Sequence, residues 1–126
     1  MVRPVNFRMN EQTAVNNYFQ EDPHLKNAEI NKKAQEEFDQ FVKVLREHGV
    51  NVVTISDNLE RDTPDSIFPN NWVSFHQNGT VCVYPMFAEN RRKERREDIF
   101  ELLEDNGFQI DNIMDYTAAE EEGIFL

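Results

Sequence analysis

The sequence predicts an α/β protein that is built from a repeated unit. Gly49 and Gly107 lie 58 residues apart, and apolar residues match in register on both sides of them. The matched pairs are Phe41 and Ile99, Val42 and Phe100, Leu45 and Leu103, Val50 and Phe108, Val52 and Ile110, Ile55 and Ile113, and Asp57 and Asp115. Helix patterns alternate with strand patterns in both copies, which is typical of the α/β class. This unit exceeds most helical solenoid repeats in length, so we expect repetition around an axis, as in a propeller.

The composition favours a globular protein of about one domain. The 126 residues are 29% charged, with a net charge of −11. A strongly acidic chain repels phosphate backbones, so we expect no nucleic-acid partner. No apolar run is long enough to cross a bilayer, so we expect no membrane span. The first residues do not lead into an apolar signal core, and the single cysteine, Cys82, suits a reducing compartment. We therefore expect a cytoplasmic location.

The first copy of the unit begins with a short strand at residues 2–7, where Pro4 favours an edge or entry position. Residues 10–27 are rich in Asn and Gln and predict an irregular, partly helical loop. An amphipathic helix follows, and Gly49 is its expected left-handed end. The apolar residues that recur at helical spacing are Ile30, Ala34, Phe38, Phe41, Val42 and Leu45. Residues 50–55 are rich in β-branched side chains and predict a strand.

The second copy contains a predicted hairpin, a helix and a strand. Residues 71–75 and 81–84 have strand character and flank the Asn78-Gly79 pair, which favours a two-residue type I′ turn. A helix is predicted from about Asn90 to Asn106, ended by Gly107, and a strand at residues 108–114. Residues 124–126 are expected to begin a further strand.

The predicted hairpin register argues against a catalytic pair of Cys82 and His76. A two-residue loop pairs Gln77 with Thr80, His76 with Val81 and Phe75 with Cys82. Successive strand residues alternate between faces, so this register places His76 and Cys82 on opposite faces. We therefore expect Cys82 to be a packed strand residue and His76 to have a structural or surface role.

An unusual cation-rich segment, residues 90–96, lies at the predicted start of the second helix. One interpretation is a solvated face whose charges are offset by Glu97, Asp98 and Glu101. The other is an anion site, since the planar guanidinium group of arginine can bind a carboxylate through two hydrogen bonds. A similar choice applies to the polar residues 63–72, whose Asp and Asn side chains either cap their own backbone or contact a ligand.

Three segments of the sequence resemble the pentein superfamily of guanidine-modifying enzymes. They are residues 64–76 (PDSIFPNNWVSFH), residues 84–86 (YPM) and residues 90–96 (NRRKERR). The opening residues MVRP also resemble the first strand of that family, and the most similar branch is that of amidinotransferase-like or citrulline-utilisation hydrolases. The resemblance implies an α/β propeller of five ββαβ blades, of which this chain supplies about two. Blade 1 is expected at about residues 1–62 and blade 2 at about 63–120, and a third starts at 123–126.

The resemblance also implies a reaction at a cysteine. In this superfamily a thiolate attacks the central carbon of a guanidino or ureido group, and a histidine moves protons. Both residues lie later in the family's sequence, so the catalytic Cys and His are expected beyond Leu126. On this interpretation the chain is the N-terminal part of the enzyme and is inactive alone. No cofactor is implied, and no cluster of residues has metal-ligand spacing.

Five residues are candidates for substrate binding by matching the family's motifs. Relatives carry an aspartate that binds the cationic guanidinium, and Asn71 occupies that position, preceded by Asn70. An asparagine is neutral and offers one acceptor and two donors, which suits a ureido group. Arg92 matches an arginine that binds the substrate's α-carboxylate. Asp65 and Phe68 match further positions of the motif, although Asp65 would equally suit a role in bracing its own loop.

These inferences favour the N-terminal part of a hydrolase that acts on the C–N bond of a ureido or guanidino amino acid, with citrulline favoured over arginine. Two alternatives remain open from the sequence. An amidinotransferase would share the same first half, and a non-catalytic binding or assembly module could use the same pocket. Open blade faces would then favour self-association.

Overall fold

The computed structural model describes residues 1–15 and 26–126, which form two compact units, Met1–Ile67 and Phe68–Leu126. Most of the predicted loop at 10–27, including His24, lies outside the described residues. Each unit combines strands with at least one helix, which confirms the α/β class. Within the described part of the chain, no helix combines the length and the apolar character that a membrane span needs.

The first unit contains strand β1 (Val2–Arg3), helix α1 (Asn27–Glu47) and strand β2 (Ile55–Ser56). Strands β1 and β2 are parallel, with Val2 opposite Ile55. The core is formed by Phe38 and Val42 of α1 with Val52, and Leu45 and Ile67 pack against them. The predicted strands at 2–7 and 50–55 are both shorter than expected. Phe41, which we included in the apolar stripe of the helix, is 54% exposed.

The second unit contains β3 (Val73–Phe75), β4 (Thr80–Val83), the four-residue helix α2 (Glu89–Arg92), α3 (Asp98–Asp105) and β5 (Asn112–Asp115). Two 3₁₀ turns, Pro69–Asn71 and Thr117–Glu122, precede and follow these elements. The sheet has the order β3-β4-β5, with β3 antiparallel and β5 parallel to β4. Residues 124–126 are not in a strand, contrary to the expectation.

The predicted second helix is interrupted. Residues 93–97 separate α2 from α3, and the end of α2 is tightened by hydrogen bonds from Lys93 N to Asn90 O and from Glu94 N to Arg91 O. Bonds of this short-range type close a helix end. The interruption coincides with the burial of Arg91 and Glu94. The helical pattern of the sequence did not predict this interruption.

Helices α1 and α3 end in the same way, as the repeat predicted. Val50 N donates to Leu45 O and Gly49 N to Arg46 O, while Phe108 N donates to Leu103 O and Gly107 N to Glu104 O, all at 2.9 to 3.0 Å. Both glycines have positive φ, 80° and 85°. This is the Schellman arrangement, in which a left-handed residue satisfies the last carbonyls of the helix. The repeat therefore holds at the level of backbone hydrogen bonds.

The hairpin register differs by one residue from the prediction. Phe75 pairs with Val81 and Ser74 with Cys82. The loop contains three residues, because His76 N donates to Thr80 O and Gly79 adopts a φ of 75°. Three-residue hairpin loops commonly end in such a left-handed residue. In this register the alternation of strand residues assigns Ser74, His76 and Cys82 to one face, so the predicted separation of His76 and Cys82 is wrong.

Candidate functional site

A buried ion pair lies at the centre of the second unit's candidate site. Arg91 Nε and Nη2 each donate to one carboxylate oxygen of Glu94, at 3.0 Å in both cases. The side chains are only 10% and 1% exposed. Two parallel bonds between planar groups fix orientation as well as distance. Arg91 and Glu94 therefore form a rigid pair at the C-terminal end of α2.

The same guanidinium holds the loop that precedes β3. Arg91 Nη1 donates to Asn71 Oδ1 at 2.9 Å, and Nη2 donates to the carbonyl of Phe68 at 3.2 Å. Asn71 is otherwise exposed, and its Nδ2 makes no hydrogen bond to the residues that the structure describes. Phe68 and Asn70, on the same loop, are exposed as well. The loop thus presents polar and aromatic side chains to solvent from a fixed backbone.

Arg92 points in a different direction from Arg91. Its Nε donates to Met86 O at 2.9 Å and its Nη2 to Phe87 O at 3.3 Å. The guanidinium carbon lies 5.8 Å from the centroid of the Phe125 ring, and the side chain is 31% exposed. Neighbouring helical residues diverge by about 100° around the axis. No hydrogen bond joins Arg92 to Asn71 in the described residues, so it is Arg91 that contacts the loop.

Glu120 neutralises part of this basic cluster. Its carboxylate accepts hydrogen bonds from Arg95 Nη1 at 2.5 Å and from the Met86 amide at 2.8 Å, and lies 3.4 Å from Arg92 Nε. Burial alone would raise the pKa of Glu120. The hydrogen bonds from Arg95 and Met86, and the charges of Arg95 and Arg92, outweigh burial and hold that pKa below its ordinary value. Glu120 is therefore ionised at neutral pH.

The remaining candidate, Asp65, belongs to the first unit. Its Oδ2 accepts hydrogen bonds from Asn10 Nδ2 at 2.6 Å and from Thr13 Oγ1 at 3.3 Å. Nearby in the chain, Thr63 donates to the buried carboxylate of Asp57 at 2.7 Å. These contacts brace the loop on which Asp65 lies. Asp65 therefore has the bracing role that the sequence left open for it.

The arginine run is neither a plain solvated face nor a row of vacant anion sites. Arg91, Arg95 and Arg96 have carboxylate partners, which are Glu94, Glu120 and Asp98 in that order. Our sequence reasoning did not single out Arg91, Glu94 or Glu120. The three-residue spacing of Arg91 and Glu94 is a signal that could have identified their pairing. Glu120 comes from a distant segment, and no spacing rule could have found it.

Cys82, His48 and His76 are packed or hydrogen-bonded in the described part of the chain. Cys82 is buried in β4, 7% exposed, which confirms its predicted role as a packed residue. His48 caps α1, where its Nδ1 lies 2.8 Å from Val44 O. His76 is exposed and its Nε2 lies 3.0 Å from Ser74 Oγ. Within residues 1–15 and 26–126, no group of three or more His, Cys, Asp or Glu side chains could hold a metal ion.

An α/β fold whose basic cluster lies beside a polar loop fits the pentein class of guanidine-modifying proteins that the motifs resemble. The chain belongs to the family described as N,N-dimethylarginine dimethylhydrolase, eukaryotic, whose model matches residues 3–126. This is a pentein family of hydrolases that act on the guanidino group of small arginine derivatives. No curated protein and no solved structure gives a significant match to the chain.

Proposed function

We propose that this chain forms the substrate-binding part of a cysteine-dependent hydrolase that cleaves a C–N bond of a small ureido or guanidino amino acid, and that it favours citrulline over arginine. The family match supports hydrolysis of a group of this kind. The repeated Schellman ends and the order strand–strand–helix–strand in the second unit support two blades of a propeller. On this proposal blade 1 covers about residues 1–62 and blade 2 about 63–120.

The preference for a ureido group rests on one observation, the neutral and exposed amide of Asn71. In the family, the matching position is expected to carry a carboxylate that pairs with a cationic guanidinium. A carboxylate accepts hydrogen bonds only, whereas an amide also donates. A guanidinium group offers donors only, whereas a ureido group has a carbonyl oxygen as well. An amide in place of the carboxylate therefore removes the attraction for a cationic guanidinium group. It also provides an N–H donor for the oxygen of a ureido group.

Arg92 is our proposed partner for the substrate's α-carboxylate. Its guanidinium is partly exposed, held by two backbone carbonyls, and makes no hydrogen bond through Nη1 to the described residues. A cation that is fixed in place binds a carboxylate with less loss of side-chain entropy. Phe68 and Asn70 are proposed to contact the substrate from the loop. Asp65 matches the family's motif as well and is proposed as a further substrate-binding residue.

The reacting groups are proposed to come from outside these 126 residues. Cys82 is buried among strand residues, and a buried thiol in apolar surroundings is a poor nucleophile. His48 is bonded to its own helix and His76 to Ser74. The resemblance to the superfamily implies that the nucleophile and the base belong to further polypeptide, and the surroundings of Cys82, His48 and His76 agree with this proposal.

The direct test is Asn71→Asp in the full-length gene product. We expect the ratio of kcat/KM for citrulline to kcat/KM for arginine to fall by at least about tenfold, because a carboxylate restores attraction for the cation. Asn112→Asp, which adds the same charge to an exposed asparagine in β5, is the matched control and should leave the ratio unchanged. An Asn71→Asp enzyme with the wild-type ratio would refute the role of this amide.

A further inference from the structure

We propose that Arg91, held by Glu94, is a specificity-determining positioning residue that fixes which side of the Asn71 amide a substrate meets. This inference rests on the proposed function and adds to it the device that sets the choice of substrate. It concerns an arginine that lies beside the expected carboxylate-binding arginine and was not itself among the candidates.

The direction of the Asn71 amide follows from the chemistry of its partner. A guanidinium group has only donors, so the Asn71 atom that faces Arg91 Nη1 at 2.9 Å must be the carbonyl oxygen. The amide is planar, and its NH₂ group therefore points away from Arg91. Rotation by 180° would place two donors against each other. Arg91 thus leaves Asn71 with its donor side available to a ligand.

Arg91 can impose this direction because it is itself immobilised. Its Nε and Nη2 are bonded to Glu94, and Nη2 also reaches the Phe68 carbonyl. Glu94 is 1% exposed and cannot exchange its partner for water. The charge of Arg91 is compensated by Glu94, so the amide does not lie beside an uncompensated cation. The pair therefore affects the Asn71 amide mainly by fixing its direction, and not through a net charge.

The exposed donor side of the amide selects for an acceptor on the substrate. A ureido group presents a carbonyl oxygen to it, whereas a guanidinium group presents only N–H groups. A polar site that is left unpaired by the wrong substrate discriminates strongly. The fixed Asn71 amide therefore binds a ureido amino acid and disfavours a guanidino amino acid, even where both enter the same site.

The test uses Arg91→Lys in the full-length gene product. Lysine keeps the charge beside Glu94. Its single ammonium group, however, cannot replace the planar guanidinium group, which bonds to Glu94, Asn71 and Phe68 at once. We expect the amide to rotate freely, so that the ratio of dissociation constants for arginine and citrulline, measured by calorimetry, falls about five- to tenfold. KM should change more than kcat. Arg96→Lys, at an arginine paired with Asp98, is the matched control.

A second variant covers the case in which Arg91→Lys fails to fold. The double substitution Arg91→Met with Glu94→Met replaces the buried pair by apolar side chains, a change that proteins often tolerate. It should lose the same preference. A folded variant of either kind with the wild-type ratio overturns this inference. If instead the wild-type protein binds neither ligand, or prefers arginine, the proposed function itself fails.

Discussion

The pair of Arg91 and Glu94 differs from the other ion pairs of the chain in its burial. Pairs such as Lys32 with Glu36, 77% and 65% exposed at 3.8 Å, lie on the surface and contribute little to stability. A buried pair carries a large desolvation cost that only its partner offsets. Removing one member therefore leaves an uncompensated buried charge. The loss of stability is then much larger than the net stability that the intact pair contributes.

This difference predicts the effect of Glu94→Gln. The substitution leaves the Arg91 charge without its carboxylate, and we expect it to lower the free energy of unfolding by about 3–5 kcal/mol. Urea denaturation followed by fluorescence of Trp72 in the same unit measures it. Glu36→Gln removes the same type of charge at the surface and should cost less than about 0.5 kcal/mol. Equal effects of the two substitutions would contradict this account of the buried pair.

The behaviour of single residues was predictable only where local chemistry decides it. The burial of Cys82 followed from a strand pattern, and the left-handed conformation of Gly49 followed from a helix end. The direction of the Asn71 amide did not, because it depends on an arginine twenty positions along the chain. Burial of a charged side chain such as Arg91 reverses the usual expectation for arginine, and only the folded arrangement shows it.

At the scale of elements, the helices were more predictable than the strands. Helical periodicity and a terminal glycine define α1 closely, since both signals are local. The strands β1 and β2 have two residues each, because their extent depends on pairing with a distant segment. The hairpin was predicted, but its register was not. Asn78-Gly79 suits both a two-residue and a three-residue loop, and the hydrogen bonds of Thr80 with His76 and Asn78 are those of the longer loop.

The hairpin loop is held against the beginning of β5, because Asp111 N and Asn112 N both donate to Gly79 O. This contact predicts an unequal effect of two glycine substitutions. Gly79 has a φ of 75°, and a Cβ there would lie 2.4 Å from Asp111 Oδ2. Gly49 also has a positive φ, but a Cβ there would meet nothing within 4 Å.

We expect Gly49→Ala to lower the free energy of unfolding by about 1–2 kcal/mol through backbone strain alone. Gly79→Ala should cost more, because the Asp111 side chain must also move. Thermal denaturation of both variants compares them. A smaller loss at Gly79 than at Gly49 would show that the loop does not depend on this close approach.

The whole molecule comprises two units that share a repeat, within a family of guanidino-group hydrolases. The repeat predicted the α/β class and the matching helix ends, because both depend on patterns within one unit. The repeat could not predict the number of blades or the supply of nucleophile and base, since these depend on contacts beyond either unit. The choice of substrate links the single residue to the whole enzyme, because the neutral Asn71 amide is proposed to determine which substrate the complete enzyme prefers.

The measurement that tests this claim most directly is a competition between substrates. Equimolar citrulline and arginine, each carrying a different isotope label in its carbon chain, are given to the full-length gene product, and mass spectrometry follows the consumption of both. The ratio of the initial rates equals the ratio of the kcat/KM values. We predict that citrulline is consumed in clear preference. Preferential consumption of arginine would contradict the account.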